Sequence, residues 1–186
     1  MFKMKDWEEE MYRLCFILPI AGCLFKNTYY DQMEERNCSE LVLPTELVVD
    51  YYAKTIETAS RKSQILWMTD NDLVVRVNKE LFNDLKYGQA QGYNKTQDAK
   101  DQIDGTKEPS RSPATPHKII ECHCQWDLDG DGYEEPYIVT VHCDTKQVCR
   151  VIARFDAEGI ETITDDKGKE RLVRIKPIEY FTKFGF

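Results

Sequence analysis

No apolar run in the sequence approaches the roughly 18 residues a membrane-spanning helix needs. The nearest, Leu14 to Ile20, is short and flanked by Arg13 and Lys26. It follows the acidic stretch Asp6-Trp7-Glu8-Glu9-Glu10, the wrong sign for a signal peptide, so the expectation is a soluble protein made in a cytoplasm. Basic residues are outnumbered: 25 Lys and Arg stand against 33 Asp and Glu, for a net charge of −8. Such a surface repels a phosphate backbone, which argues against DNA binding by charge neutralisation as the main activity. Histidine is scarce, with three in the chain. There is no Gly-x-Ser-x-Gly, no Gly-rich loop ending in Gly-Lys-Ser/Thr and no His-Glu-x-x-His, so the sequence makes no positive case for an enzyme. Seven cysteines at irregular spacing, an odd number, do not suit a secreted disulfide framework, and reduced thiols are expected.

What the chain does have is a core. Its 186 residues are 41% hydrophobic and 11% aromatic, enough for one ordinary domain or two small ones and unlike a disordered acidic chain. The pattern predicts an α+β fold: an N-terminal helix and short strands plus a helix over 1–86, a long flexible polar loop over 87–118, and an antiparallel β-meander over 119–186. The first helix is expected from about Asp6 to Leu18. Asp6 caps it, Glu8 to Glu10 suit the positive end of the dipole, and Trp7, Met11, Leu14, Cys15 and Leu18 form one apolar stripe. Pro19 and Gly22 should end or kink it. Strands are expected over Cys23 to Tyr30 and Ser39 to Leu43, and another over Gln64 to Thr69. Thr45 to Ile56 fits helix and strand alike. Thr69 with Asp72 reads as a helix start, and Leu73, Val74, Val77, Leu81 and Phe82 carry that helix to about Asn83.

In the second half, β-rich runs at Ile119–Trp126, Tyr137–Cys143, Val148–Phe155, Ile160–Thr164 and Arg171–Ile175 alternate with Asp- and Gly-rich turn signals. The aromatic-rich end, Tyr180-Phe181-Thr182-Lys183-Phe184-Gly185-Phe186, would be a liability if exposed. It is expected to lie against something or to mark a cut chain.

Three motifs invite chemistry. Asp127-Leu128-Asp129-Gly130-Asp131-Gly132 places carboxylates at alternate positions and then a glycine, like the front half of a calcium loop, so Asp127, Asp129 and Asp131 are the candidate metal ligands and calcium the candidate ion. The twelfth position is Ile138 rather than a bidentate Glu, and the flanks read as strands. The competing reading is an acidic β-turn whose Asp side chains bond local N–H groups. Glu134 or Glu135 would have to complete a metal site. Cys122-His123-Cys124, His142-Cys143 and Cys149 suggest zinc, but alternation puts Cys122 and Cys124 on one strand face and His123 on the other. A symmetric hairpin pairs residue 122 with 139 and 143 with 118, leaving Cys143 roughly 13 Å along the strand from Cys122, too far for one tetrahedral site. Small apolar fillers are the expectation for these cysteines. Tyr29-Tyr30, Tyr51-Tyr52 and Tyr180-Phe181 lack the basic residues that accompany base-stacking, which favours packing or subunit contact.

Taken together, Trp7–Tyr30, Leu41–Asp50, Ile65–Asp72 and above all the run WDLDGDGYEEPYIVTV (Trp126–Val141) resemble the central part of the portal proteins of tailed bacteriophages, the short-tailed P22-like branch in particular. The later runs VCRVIARF and IKPIEYFTKFGF carry the rest of the likeness. The resemblance covers nearly the whole chain and implies a structural, non-enzymatic subunit. In the family, a dodecameric ring at one capsid vertex is the head–tail connector through which DNA is packaged by a terminase motor and later ejected. It implies self-association, contacts with terminase, coat, scaffold and tail proteins, DNA sliding through without specific binding, no membrane, and residence in the virion after assembly in the host cytoplasm. Portal subunits are much longer than this chain and contain stem helices and a clip. No candidate for either is present, so the segment resembled is the wing. The family comparison also favours a strand through Leu47 to Tyr52. The alternative from another class is a small divalent-metal-binding module or metal-dependent hydrolase built on the Asp127–Asp131 loop.

Overall fold

A computed structural model describes residues 7–84, 86, 88, 115–164 and 170–185. Most of the polar segment 87–118 lies outside the described residues. The architecture is α+β, with antiparallel sheets accompanied by two helices among the described residues. Helix α1 spans Trp7–Ala21 and α2 Asp70–Asn78. The strands are β1 Cys23–Asp31, β2 Arg36–Val42, β3 Leu47–Val49, β4 Lys62–Met68, β5 His117–Trp126, β6 Glu135–His142, β7 Gln147–Ala153, β8 Ile160–Thr164, β9 Glu170–Ile175 and β10 Phe181–Gly185. They form sheets ordered β10-β1-β2, β3-β4-β5-β6-β7 and β8-β9.

The chain divides into two compact units that interleave in sequence. The first comprises 1–64, 122–139 and 151–186; the second comprises 65–121 and 140–150. Strands β4 to β7 each supply residues to both.

In the first unit, α1 packs on the β1–β2 ribbon. Leu14 is its buried anchor, and the Leu41 N–H donates to Glu10 Oε2 at 2.9 Å. The helix runs through Pro19 to Ala21, three residues past the expected Leu18. Pro19 has no N–H to give to the carbonyl four residues back, so that bond is missing from the last turn. Gly22, at φ +75°, closes the helix by donating its N–H to the Leu18 carbonyl at 2.8 Å. Of the expected stripe, Leu14 is buried and Met11 and Leu18 half-buried, but Trp7 and Cys15 are exposed. A second stripe, Tyr12, Phe16 and Ile20 at i, i+4 and i+8, faces away from the ribbon with 77%, 76% and 81% of its surface exposed.

The aromatic end of the chain is strand β10, antiparallel to β1 with Asn27 opposite Phe181 and Cys23 opposite Gly185. Phe181 enters a core with Val42, Leu47 and Ile56, flanked by Phe25 and Val49. The ambiguous segment is strand only over Leu47–Val49, after which turns leave Tyr51 and Tyr52 exposed, stacked edge to face. Buried charges are paired around Glu179. Lys62 Nζ lies 2.5 Å from one carboxylate oxygen and Arg154 Nη1 3.5 Å from the other. Lys26 is different. It is buried, lies over the Trp7 ring at 5.8 Å, and its ammonium has no hydrogen-bond partner among the described residues.

In the second unit, Thr69 caps α2 and forms a reciprocal capping box with Asp72. The helix ends at Asn78, short of the expected Asn83. Glu80 takes a positive φ of 57°, and the N–H groups of Leu81 and Phe82 both turn back to the Arg76 carbonyl. That reversal drops Phe82 into a core with Met68, Leu73, Ile119 and Cys149. Strand β5 starts at His117, two residues before the expected Ile119 and inside the stretch assigned to the polar loop.

Candidate functional sites

The acidic loop joins β5 to β6. Asp127 accepts from the Gly130 N–H through Oδ1 (2.6 Å) and from the Gly132 N–H through Oδ2 (3.0 Å). Asp129 accepts from the Asp131 N–H at 3.2 Å, and Asp131 from the Tyr133 N–H at 2.7 Å. Gly130 and Gly132, at φ +75° and +93°, make the sharp path that aims these amides inward. This is the network of a self-bonded acidic turn. The three carboxylates nonetheless present one oxygen each within 4.8 Å of one another, the convergence expected of Asp127, Asp129 and Asp131 from their spacing. As a calcium site the donor set is short. Neither Glu134 nor Glu135 joins the cluster, Ile138 is buried on β6, and calcium takes 6–8 oxygens. Tyr133, just beyond the loop, accepts from the Ile175 N–H at 2.9 Å and so ties it to β9.

The zinc set is not assembled. The Cys143 N–H donates to the Lys118 carbonyl at 3.0 Å, the pairing expected of a symmetric hairpin. Among the described residues no cysteine belongs to a cluster of three or more ligand-type side chains, and none of the seven cysteines is in a disulfide. His123 is buried against Tyr180 and Phe181, with ring centroids 5.5 and 4.9 Å away, while Cys122 and Cys124 are half-buried.

The second unit holds a cluster with no counterpart in the sequence reading. His117, first residue of β5, and His142, last of β6, are both fully buried and meet Nδ1 to Nε2 at 2.9 Å. His117 Nε2 hydrogen-bonds the carboxylate of Asp70, in the first turn of α2. His142 Nδ1 faces the Thr145 N–H at 3.2 Å and the Thr145 hydroxyl at 3.0 Å. A backbone N–H can only donate, so His142 Nδ1 is an acceptor and its proton sits on Nε2. That proton is donated to His117 Nδ1, which leaves the His117 proton on Nε2 pointing at Asp70. The tautomers of both rings follow from one amide. Burial, and then the neighbouring His117, hold His142 below the usual histidine pKa, with Asp144 opposing, so the neutral form is favoured.

Asp144 brings a third ligand-type atom within 4.8 Å of the two rings. A metal on His142 Nε2 would require the proton on Nδ1, where it would meet the Thr145 N–H head-on. With these hydrogen bonds the arrangement is a neutral chain joining α2, β5 and the β6–β7 turn, in which both ring nitrogens of His142 are engaged. Asp70, His117 and His142 lie far apart in sequence, and nothing local in composition or spacing links them.

No protein-family model matches the chain, and no curated protein matches it.

Proposed function

We propose that this chain is a structural subunit, the wing portion of a phage portal ring, acting in DNA packaging and ejection at the capsid vertex and carrying no catalytic residues of its own. The observation that carries the reading, beside the sequence resemblance, is the outer face of α1. Tyr12, Phe16 and Ile20 form an apolar stripe on the solvent side of a helix whose other side is already anchored by Leu14. Large apolar side chains exposed together on one helix face are what an interaction site presents. A closed ring needs two different patches on each subunit, because its contacts are heterologous. The exposed pair Tyr51 and Tyr52 in the same unit is a second apolar patch. Neighbouring copies, each carrying net charge −8, associate best through such uncharged faces. In this reading DNA slides past an acidic protein that does not grip phosphate, a partner ATPase supplies the packaging energy, and coat, scaffold and tail proteins contact the subunit.

The test is the native mass of the product of the complete reading frame around this segment. A dodecameric ring supports the proposal. A monomeric product would sink the channel role.

A second reading, favoured by the convergence of Asp127, Asp129 and Asp131, is a calcium- or magnesium-binding module or a metal-dependent hydrolase. Calorimetric titration separates the two readings. Micromolar calcium binding that disappears in Asp129→Ala supports the metal site, and flat titrations leave the loop a turn.

A further inference from the structure

Cys122 and Cys124 share one face of β5, both half-buried and both in the first unit. Cys124 is the next side chain along that face, and its thiol favours the charged form of Cys122. Ser63, on β4 and in the same unit, donates its hydroxyl to the Cys122 sulfur at 3.4 Å. The Arg61 guanidinium adds positive charge. Cys122 is thus a half-buried thiol with a hydroxyl donor on its sulfur, a second thiol beside it and a nearby cation, the surroundings that favour a thiolate. They bring the Cys122 pKa to about 6, the Cys124 thiol contributing most, and Cys124 itself is pushed well above the ordinary thiol range. Other cysteines are placed differently. Cys38 and Cys149 are buried with their S–H groups on backbone carbonyls, Cys143 is pushed up by burial, and Cys15 is exposed on α1.

We propose that the Cys122–Cys124 pair is a thiol-modification site, at which Cys122 exchanges with low-molecular-mass disulfides to form a lasting mixed disulfide, with Cys124 and Ser63 as positioning residues. The Cys122 thiolate attacks one sulfur of the reagent. A bond forms between them as the reagent's S–S bond breaks, and the departing half leaves as a thiolate that takes a proton from solvent. Cys122 is oxidised, the departing half is reduced, and no other reactant is needed.

The adduct lasts because Cys124 is poorly placed to resolve it. Residues two apart on an extended strand have Cα atoms about 6.6 Å apart, near the far end of the range a disulfide spans. Strand β5 lies between β4 and β6 and is not free to buckle. The proton held on Cys124 further slows its attack.

The experiment treats the full chain with glutathione disulfide at pH 6, maps adducts by peptide mass, and includes an unstructured cysteine peptide as reference. A larger thiolate fraction, discounted for the weaker nucleophilicity of a more acidic thiol, leaves Cys122 about tenfold faster than the reference. The expected pH profile is half-maximal near 6. Ser63→Ala and Cys124→Ala should move that midpoint upward with the circular dichroism unchanged, Ser63→Thr should restore it, and denaturant should erase the advantage. Modification of Cys15 before Cys122, an internal Cys122–Cys124 disulfide as the main product, or an advantage that survives unfolding would each overturn the proposal.

Discussion

The acidic loop of the first unit and the histidine chain of the second bring together similar ligand-type groups and differ in almost everything else. Asp127, Asp129 and Asp131 come from one short, solvent-facing turn, and their carboxylates are occupied by amides of that same turn. His117 and His142 are fully buried, come from different strands, and reach out to a helix and a turn. Removing one hydrogen-bonding group from an exposed turn lets water take its place, whereas a buried chain leaves orphaned donors and acceptors. A cluster visible as a motif can therefore matter little to stability, and one invisible in the sequence can matter much.

The largest expected effect comes from breaking the buried chain. His117→Leu strands the His142 Nε2–H and removes the partner of Asp70, and should cost about 2 kcal/mol or more. Denaturant melting of the full chain checks this, with hydrogen exchange of β5 and α2 amides showing whether the loss falls in the second unit. If the midpoint hardly moves, the chain is not the structural tie described here. Next in size is Gly132→Ala. It forces a side chain into φ +93° and should cost about 1–2 kcal/mol by the same melting assay, although a Cβ there would meet open space.

A pH effect sharpens the contrast. His142 has its folded pKa below the unfolded value, so the folded chain resists a proton that the unfolded chain accepts. Stability linked to it is whole above about pH 6.5 and declines as pH falls through and below that value. Urea midpoints for wild type and His142→Gln at pH 7.5 and pH 5.5 test this. The wild type should lose more on acidification than the variant, and equal losses would contradict the assignment. The smallest effect is expected from Asp129→Ala, at the exposed turn, within about 0.5 kcal/mol in calcium-free buffer. A large loss there would reverse the comparison.

What the sequence makes legible follows from the range of the interactions involved. The acidic loop, the capping box of Thr69 with Asp72, and the alternation that separates His123 from Cys122 and Cys124 are set by residues a few positions apart, and each is found where periodicity puts it. So are the β8 strand and the hairpin pairing of Lys118 with Cys143. The end of α2 is not legible, because Leu81 and Phe82 keep helical spacing while a reversal at Glu80 delivers Phe82 to the core. Pairing of β10 with β1 joins opposite ends of the chain, so the sequence offers only the hint that exposed aromatics need cover. The Asp70–His117–His142 chain and the interleaving of the two units depend on tertiary placement and have no local signature. The helix pattern marks the anchored side of α1 but passes over Tyr12, Phe16 and Ile20, which obey the same spacing and bury against nothing within the described residues.

That outer face of α1 bears the assembly proposal, and the most direct measurement is the native mass of the complete reading-frame product beside its Phe16→Glu variant. A buried charge without a partner is strongly unfavourable at an interface. The account predicts a ring for the parent and dissociated subunits, with unchanged circular dichroism, for the variant. A ring of the same mass in both would show that α1 does not hold neighbouring copies together, and would contradict the account.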